Sequence, residues 1–416
     1  MNFRQIQSSL SIIYDRTEKV ITKSICLLLF VLVLFSCTTQ KQFTHNKGHS
    51  VQSDYYSTIP FEWVRNKIIV PVEINGKTYR FLVDTGSSNA ISERLQKELQ
   101  YPILINQFIR DQSGKGDSLQ IVEMKELAFG GVLFNNTPAI VFPDSTLLLQ
   151  CYGVEGIIGS NMLRNSIIRF SLPEKTITVT DNSQKIKLNK KQSSKLWLTP
   201  MQSLPYFWVS IENEKKGTQL LLFDSGMKGL YSLSVKKYTN TFKKRKIFKP
   251  LGYSYGNNSY GLYGFAENDY HYKLLLPVMN INGMLLNNVV TYTTSNNNSR
   301  IGAEVFEHAI VTLDYINKRI YFEPLFEKEK DVYKKTYPVD PNLISNKLCI
   351  GYVWDENLLS EVSVGDQILS IDDTDCRELT PCDVLLNDLQ SNKQDSMSLT
   401  IQKSNGDIHK IIIKKR

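Results

Sequence analysis

The sequence predicts a mainly β protein with a two-lobed, duplicated body and a small α+β domain at the C-terminal end. Apolar and polar residues alternate over most of the chain from residue 60, which is typical of strands with one buried face. A pattern that begins there is repeated from Tyr206, and both copies end an apolar run on an aspartate. After Pro338 the order of elements changes. We therefore expect an N-lobe at 59–182, a C-lobe at 183–326 and a further domain at 337–416.

The N-terminus has the pattern of an export signal. Lys23 precedes an unbroken apolar run, Ile25–Phe35, which is shorter than the roughly 20 residues that a spanning helix needs. The run ends in Leu-Phe-Ser-Cys, which resembles the lipobox of bacterial lipoproteins, and in that family the cysteine, here Cys37, carries the lipid. The alternatives are an uncleaved anchor and a plain signal peptide with a chance cysteine. The resemblance implies a signal peptide at 1–36 and a polar tether at 37–58. It also implies a cell-envelope lipoprotein of a Gram-negative bacterium, held by its lipid in the outer membrane and facing the periplasm.

The first half opens with a hairpin that leads to a carboxylate. Alternating runs flank Asn75-Gly76, a pair that favours a tight hairpin turn. The second arm of the hairpin contains the apolar run Phe81–Val83, which leads directly into Asp84 and then Thr85–Ser87. An ionised carboxylate is costly in apolar surroundings unless a partner holds it. Asp84 therefore either caps a turn or has a chemical role.

The second half repeats this arrangement. An alternating strand from Tyr206, a polar turn and an apolar arm lead into Asp224-Ser225-Gly226. An apolar-glycine pair follows each aspartate at similar spacing, Ile158-Gly159 in the first half and Ile301-Gly302 in the second. Two units of similar length, with one aspartate at the same place in each, indicate a duplicated body.

These motifs resemble those of the aspartic proteases, the pepsin and retropepsin superfamily, over about residues 60 to 325. The resemblance implies the acid protease fold, hydrolysis of peptide bonds in a peptide or protein substrate, and no cofactor. It implies a catalytic pair, Asp84 and Asp224. The supporting residues that it implies are Thr85, Gly86, Ser87, Ile158, Gly159, Ser225, Gly226, Ile301 and Gly302.

Each supporting residue type has a physical reason. The glycines leave room for close backbone approach. In the family, the hydroxyls at the positions of Thr85 and Ser225 bond across the lobe interface, and the hydroxyl at Ser87 supports the first carboxylate. Two facing carboxylates share one proton, so that one activates a water molecule and the other donates to the scissile carbonyl.

Two residues depart from the family pattern. Met227 stands where a small residue is usual, and Arg300 stands where an apolar residue is usual. These departures favour an alternative function, a catalytically inactive protease-like scaffold that binds envelope peptides or proteins without cleavage. A weaker alternative is a polysaccharide-binding lipoprotein, suggested by the 21 tyrosines.

A flap is expected to cover the cleft. The segment Arg110–Gln120 has glycines between two strand-like runs, and Ser113, Gly114, Lys115 and Gly116 are the candidates for its tip. The glycine- and tyrosine-rich segment Leu251–Phe265 is its counterpart in the C-lobe. That segment either lines a groove for an extended peptide or forms a surface loop.

The last eighty residues resemble a short PDZ domain. Val364–Ile371 is similar to the Gly-Asp turn and strand of that family, and a helical stretch and a hairpin follow. PDZ domains bind a peptide as an additional strand at a sheet edge. The resemblance therefore implies a peptide groove, whose candidate residues are Leu348, Cys349, Ile350, Gly351 and Tyr352. The alternative is a β-rich appendage that braces the body.

Charge and cysteine content indicate which partners, metal sites and disulfides to expect. The net charge of +8 is spread along the chain, and its one dense basic cluster, Lys236–Lys249, accompanies no nucleic-acid motif. We expect a monomer with no nucleic-acid partner. The histidines and cysteines show no metal-binding spacing, so we expect no metal site. A Cys376–Cys382 disulfide and free thiols both remain open.

Overall fold

Strands make up most of the regular structure in the computed structural model, which confirms the prediction of a mainly β protein. The structure describes residues 43–111, 114–257, 260–387, 389–390 and 394–416. The expected signal peptide at 1–36, the lipidation site Cys37 and the flap residue Ser113 lie outside these residues. Within them, no helix is both long enough and apolar enough to cross a membrane. Thr44–Arg416 form one compact unit.

Two nine-stranded sheets contain the two aspartates. The strands of the first sheet, in spatial order, are His49–Ser50, Val132–Phe142, Ala90–Ser92, Gly156–Gly159, Lys77–Asp84, Lys67–Ile74, Gly116–Phe129 and Ile103–Arg110, with Glu62–Val64 paired to Lys67–Ile74. Those of the second are Trp197–Leu198, Pro205–Glu212, Lys216–Asp224, Arg300–Gly302, Tyr231–Ser234, Met284–Thr294, Asp269–Ile281 and Lys249–Gly256, with Glu329–Asp331 paired to Met284–Thr294.

The remaining strands form three smaller sheets. A six-stranded sheet takes strands from both halves of the sequence, in the order Ser193–Lys195, Arg319–Pro324, Ala309–Asp314, Ile167–Ser171, Thr176–Thr180 and Tyr56–Pro60. Tyr260–Gly261 and Gly264–Phe265 form a short hairpin. The C-terminal sheet has the order Val339–Ile344, Lys347–Val353, Gln367–Ile371, Ser396–Gln402 and Ile408–Lys414, with Thr374–Asp375 paired to Gln367–Ile371.

Helices are short and lie at the ends of strands. The α-helices are Glu93–Leu99, Leu147–Tyr152, Ser160–Leu163, Val235–Lys237, Lys243–Arg245 and Pro381–Leu386, and Tyr238–Phe242 is a π-helical turn. The 3₁₀ turns are Ser183–Lys185, Lys190–Gln192, Ala303–Glu307 and Glu356–Leu358. Ser92 caps the first helix by accepting a hydrogen bond from the amide of Leu95.

The two nine-stranded sheets share one pairing arrangement around the aspartates. Lys77–Asp84 runs parallel to Gly156–Gly159, which pairs antiparallel with Ala90–Ser92. The second sheet has the same sequence of pairings, in the strands Lys216–Asp224, Arg300–Gly302 and Tyr231–Ser234. Each aspartate is therefore the last residue of a buried strand that lies beside a strand ending in glycine.

One continuous apolar core supports both aspartate strands. Phe81, Val83 and Phe223 are fully buried, and they belong to the same cluster as the residues of the six-stranded sheet. The ring of Phe223 lies 5.9 Å from that of Phe306 and 6.3 Å from that of Phe322. Burial of one such side chain contributes about 1.5–3 kcal/mol. The core therefore fixes the strand ends from which the site is built.

The expected tether at 37–58 is wrong from Thr44 onward. His49–Ser50 extends the first sheet, and Tyr56–Pro60 is the edge strand of the six-stranded sheet. His45 is buried, and the hydroxyl of Tyr55 lies 2.6 Å from the Oγ of Ser166. This segment lacks periodicity because long-range contacts, rather than one amphipathic face, hold its backbone in place.

The expected edge strand of the C-terminal domain is an interior strand. Lys347–Val353 pairs with Val339–Ile344 on one side and with Gln367–Ile371 on the other. It also packs on the strand Lys249–Gly256 of the body, where the amide of Val353 donates to the Oγ of Ser254 at 3.0 Å. The prediction of an open peptide groove is therefore wrong for all five of its candidate residues, which are buried: Leu348, Cys349, Ile350, Gly351 and Tyr352.

The disulfide joins the C-terminal domain to the first half of the body. Cys382 bonds to Cys151 across a sequence separation of 231 residues, so the alternative of a Cys376–Cys382 bridge is wrong. Cys376 and Cys349 are buried free thiols. The bridge connects the helices Leu147–Tyr152 and Pro381–Leu386.

Candidate active site

The two aspartates occupy equivalent strand ends. Asp84 lies opposite Gly159, and Asp224 lies opposite Gly302, in the register of the two parallel pairs. The residue before each of these glycines, Ile158 or Ile301, is fully buried. The apolar strands stop here because the next residues turn sharply, and the amides of the turns are directed at the carboxyl groups.

Four hydrogen bonds lock the two turns to each other. The Oγ1 of Thr85 donates to the carbonyl of Phe223 at 2.8 Å and accepts from the amide of Ser225 at 3.0 Å. Reciprocally, the Oγ of Ser225 donates to the carbonyl of Val83 at 2.9 Å and accepts from the amide of Thr85 at 3.0 Å. Both hydroxyl residues are fully buried, so these bonds are shielded from water. They fix the relative position of the aspartates.

The two glycines allow the carboxyl groups to approach the opposite turn. A Cβ atom on Gly86 would lie 2.5 Å from the Cγ of Asp224, and one on Gly226 would lie 2.3 Å from the Cγ of Asp84. The amide of Gly86 donates to the Oδ1 of Asp84 at 2.8 Å, and that of Gly226 donates to the Oδ1 of Asp224 at 3.0 Å. A side chain larger than hydrogen is therefore excluded at both positions.

The two carboxyl groups face each other across the turns, since Gly226 lies against the Cγ of Asp84 and Gly86 lies against the Cγ of Asp224. Burial, and then the nearby charge of Asp224, raise the pKa of Asp84 from 3.8 to about 7. Two facing carboxyl groups can hold one proton between them and act as both acid and base.

Two cations flank the pair. The Nη1 of Arg300 lies 3.0 Å from the Oδ2 of Asp224, and both side chains are mostly buried. Lys67 donates to the carbonyl of Gly226. Burial lowers the pKa of Lys67, whereas Asp84 and Asp224 oppose that shift. The site therefore contains two carboxyl groups and two basic groups close together at the floor of one cleft.

The sequence contains a signal for Lys67 that our prediction missed. The Asn75-Gly76 turn sets a register in which Ile69 pairs with Leu82. Continued by two residues, this register places Lys67 opposite Asp84. Arg300 was noted only as a departure from the family pattern, and its contact with Asp224 was not predicted.

Ser87 and Met227 differ from what the resemblance implied. The hydroxyl of Ser87 donates to the carbonyl of Ser88 at 2.9 Å, so it bonds to backbone rather than to Asp84. Met227 lines the cleft and packs against Gly302, where a Cβ atom would lie 2.6 Å from its Cε. The methionine therefore fills space beside the second strand end without entering the carboxyl contact.

Three polar residues hold the turn that follows Asp84. The sequence did not indicate them as part of the site. The Oγ of Ser160 donates to the carbonyl of Thr85 at 2.7 Å. The Oδ1 of Asn89 accepts from the amide of Gly159 at 2.7 Å, and the Oδ1 of Asn161 accepts from the amide of Asn89 at 2.7 Å. All three are buried and bonded to backbone, which makes the turn rigid.

A cleft of about 680 Å³ opens over the carboxyl groups. The flap prediction corresponds to a hairpin of Ile103–Arg110 and Gly116–Phe129. In its tip, the amide of Asp111 donates to the carbonyl of Lys115 at 2.8 Å, and Gly114 lines the cleft. The Oδ2 of Asp111 accepts from the amide of Tyr263 at 3.0 Å. The tip therefore contacts the glycine- and tyrosine-rich segment, and residues of both line the cleft.

Comparison with known proteins gives a match to the first half of the site. Residues 70–162 match a family model described as aspartyl protease. Among solved structures, the chain is similar to a retropepsin-like aspartic protease from Rickettsia conorii, with 13% identity, a TM-score of 0.23, and coverage of 32% of this chain and 93% of that chain. A comparison with curated proteins found no match. The matched family segment contains Asp84 and Gly159 but not Asp224.

Proposed function

We propose that the protein is an aspartic endopeptidase in which Asp84 and Asp224 activate a water molecule. The observation that carries this proposal is the facing pair of carboxyl groups, held by the interlocked turns, in which the pKa of Asp84 is raised to about 7. The aspartyl protease family match over residues 70–162 supports the same reaction class. We further propose a duplicated acid protease body with a PDZ-like domain, on the basis of the equivalent pairings in the two nine-stranded sheets and the C-terminal strand order.

The neighbours of each aspartate assign its role. Asp224 has a cationic neighbour, because the Nη1 of Arg300 lies 3.0 Å from its Oδ2. The pKa of Asp84 is raised to about 7, so Asp84 is mostly protonated below that pH. Asp224 therefore acts as the base and Asp84 as the acid.

Hydrolysis then follows general acid–base catalysis. Water attacks the carbonyl carbon, its proton passes to Asp224, and the proton of Asp84 passes to the carbonyl oxygen. The tetrahedral gem-diol then collapses: one hydroxyl returns its proton to Asp84 as its C=O bond forms, the C–N bond breaks, and the leaving amine takes up the proton that Asp224 received. The pair thus regains its starting protonation state. Asp111 and Gly114 of the flap tip line the cleft that would hold the substrate.

The test is cleavage of an unfolded protein substrate by the wild type and by Asp84→Asn and Asp224→Asn. Each substitution removes half of the acid–base pair, so we expect at least a roughly 10²–10⁴-fold loss in kcat/KM. Asp407→Asn is the matched control, because Asp407 lies in an exposed turn between the last two strands. Near-normal turnover by Asp224→Asn would contradict the shared mechanism.

An inactive binding scaffold is the second candidate function. The ion pair between Arg300 and Asp224 favours it, because Arg300 engages an oxygen of the carboxyl group that hydrolysis would need as the base. This function predicts that the wild type binds unfolded polypeptide without cleaving it at any pH between 3.8 and about 7, the ordinary and the raised pKa of Asp84.

We also propose that the chain is a lipoprotein of the cell envelope. The lipobox-like stretch that ends at Cys37 supports an N-terminal lipid anchor in the outer membrane, with the body facing the periplasm. A disulfide between Cys151 and Cys382 fits an oxidising compartment. Cys37→Ser should move the protein from the membrane fraction to the soluble fraction, and its retention in the membrane would contradict the anchor.

A further inference from the structure

A row of four tyrosines lies on the outer face of the second nine-stranded sheet. In the edge strand Lys249–Gly256 and its neighbour, Tyr253 lies opposite Tyr272 and Tyr255 lies opposite Tyr270. Tyr253, Tyr255 and Tyr270 are between 42% and 52% exposed. We call these four residues the tyrosine row. Contiguous exposed aromatic surface is a mark of interaction sites, so the row calls for a partner.

The rings of the tyrosine row contact one another. Tyr253 stacks on Tyr270 with 5.3 Å between ring centroids and 3° between ring planes, and its centroid lies 4.9 Å from that of Tyr272. The centroids of Tyr255 and Tyr270 are also 4.9 Å apart. Because neighbouring rings cover one another's faces, the row presents ring edges and hydroxyl groups to solvent. An apolar body with a polar tip suits a membrane–water interface.

A dense basic segment adjoins the tyrosine row. Residues 236–249, which we call the basic segment, include seven Lys and Arg residues and no acid, and all seven are exposed. Among the residues that the structure describes, none of the seven pairs with a carboxylate. Lys243 links the segment to the row, because its Nζ lies 5.1 Å from the ring centroid of Tyr272 and donates to the hydroxyl of Tyr272 at 3.4 Å. Positive charge and exposed aromatic rings therefore form one surface.

The C-terminal domain leaves this surface open. Ser254 faces the opposite side of the edge strand, where its Oγ accepts a hydrogen bond from the amide of Val353 at 3.0 Å. Asp269, the acid that begins the neighbouring strand, lies at the end of the row remote from Lys243. The described part of the chain therefore places the domain behind the row and keeps negative charge away from the basic segment.

We propose that the tyrosine row and the basic segment dock on an anionic phospholipid bilayer. Lysine and arginine are attracted to the negative surface potential of anionic lipids, and tyrosine side chains favour the level of the headgroups. A bilayer fits better than a nucleic acid or a glycan, because the ring faces that would stack on a base or a sugar are covered by neighbouring rings. This docking is a second membrane contact, and it does not depend on peptide hydrolysis.

The proposed lipid at Cys37 makes a weak contact sufficient. Residues 37–43 separate the lipidation site from the compact unit that begins at Thr44. Fully extended, these residues span about 25 Å. An anchored body therefore stays close to the bilayer, and docking takes place at a high effective concentration of lipid.

The first test measures docking without the anchor. A chain that begins at Thr38, immediately after the proposed lipidation site, carries no lipid and keeps every residue that the structure describes. Its affinity is measured by sedimentation with vesicles. Vesicles with about 30% phosphatidylglycerol in phosphatidylcholine should bind it at least about tenfold more tightly than phosphatidylcholine alone, and salt should reduce the difference. Equal affinity for the two kinds of vesicle would overturn the proposal, whatever the state of Cys37.

The second test separates a docking surface from diffuse charge attraction. Lys243→Gln/Lys244→Gln removes two charges beside the tyrosine row and should weaken binding to anionic vesicles about thirtyfold. Lys190→Gln/Lys191→Gln is the matched control, because this exposed pair lies in the 3₁₀ turn before the six-stranded sheet. The control should bind nearly as tightly as the unsubstituted chain. An equal loss in both variants, or no loss in the first, would overturn the docking surface.

The third test concerns the tyrosines. Tyr255→Ala and Tyr270→Ala should each weaken binding to anionic vesicles about tenfold, because a large half-exposed ring loses its apolar contact with the bilayer. Tyr56→Ala is the control, since Tyr56 is 53% exposed on the edge strand of the six-stranded sheet. Thermal unfolding checks that each variant is folded. Unchanged affinity in both tyrosine variants would contradict insertion of the row. Binding of heparin, a soluble polyanion, without binding of vesicles would assign the surface to a polysaccharide and overturn the proposal.

Discussion

Arg300 and Asp224 form an ion pair with 3.0 Å between the Nη1 and Oδ2 atoms, at the centre of a site where the opposing carboxyl group, Asp84, has a pKa raised to about 7. The two carboxyl groups are therefore equivalent in backbone position but not in electrostatic environment. Asp224 has a cation at contact distance, whereas burial and the charge of Asp224 raise the pKa of Asp84. The first two predictions follow from this asymmetry.

Activity should fall as the pH rises through about 7. The pKa of Asp84 is raised from 3.8 to about 7, so the protonated acid is fully present well below 7 and is lost above it. Above about pH 7, kcat/KM should decrease about tenfold for each further pH unit. The free energy of unfolding should change in the same direction. The raised pKa of Asp84 stabilises the fold fully below about pH 4, and this contribution is lost as the pH rises through about 7. The measurement is kcat/KM against pH, and a rate that stays constant to pH 9 would exclude Asp84 as the acid.

Arg300→Leu should lower kcat/KM about tenfold. The substitution removes the charge-assisted contact of Arg300 with the Oδ2 of Asp224, the proposed base. Leucine keeps much of the buried volume, so thermal unfolding should change little by comparison. Arg245→Leu is the control, because Arg245 is exposed and lies outside the residues that line the cleft. An unchanged kcat/KM would show that the contact with Arg300 does not serve the reaction.

Gly226→Ala should abolish activity, whereas Gly229→Ala should not. A Cβ atom at Gly226 would lie 2.3 Å from the Cγ of Asp84, so the turn or the carboxyl group must move. At Gly229 a Cβ atom meets nothing within 4 Å. We expect a stability loss of about 1–3 kcal/mol for Gly226→Ala, measured by urea unfolding. Retained cleavage by this variant would mean that the carboxyl groups do not face each other in solution.

Cys382→Ser should destabilise the protein and make it insensitive to reductant. The disulfide closes a loop of 231 residues, for which the chain-entropy account gives about 5 kcal/mol at most. The melting temperature of the wild type should fall on reduction to that of Cys382→Ser. Cys376→Ala is the control, because Cys376 is a free thiol, and its variant should still respond to reductant. Equal melting temperatures with and without reductant in the wild type would contradict the bridge.

Local patterns in the sequence account for the aspartate strands. Asn75 and Gly76 both have positive φ angles, as a tight hairpin turn requires, and this turn sets the register of the strand that ends at Asp84. The alternation that predicts this strand is a short-range property, and so are the Thr-Gly and Ser-Gly turns that follow the aspartates. The two glycines were expected to permit close approach, and a Cβ atom on either would overlap the opposite carboxyl group.

By itself, then, the sequence determined a mainly β chain and the two strands that end in Asp84 and Asp224. Only the tertiary structure brought Lys67 and Arg300 to the carboxyl groups, joined Cys151 to Cys382, and covered Lys347–Val353 with the body. The physical reason is that periodicity records whether a residue is buried but not what buries it. A strand that packs on another part of its own chain has the same pattern of apolar and polar residues as a strand whose open edge binds a peptide.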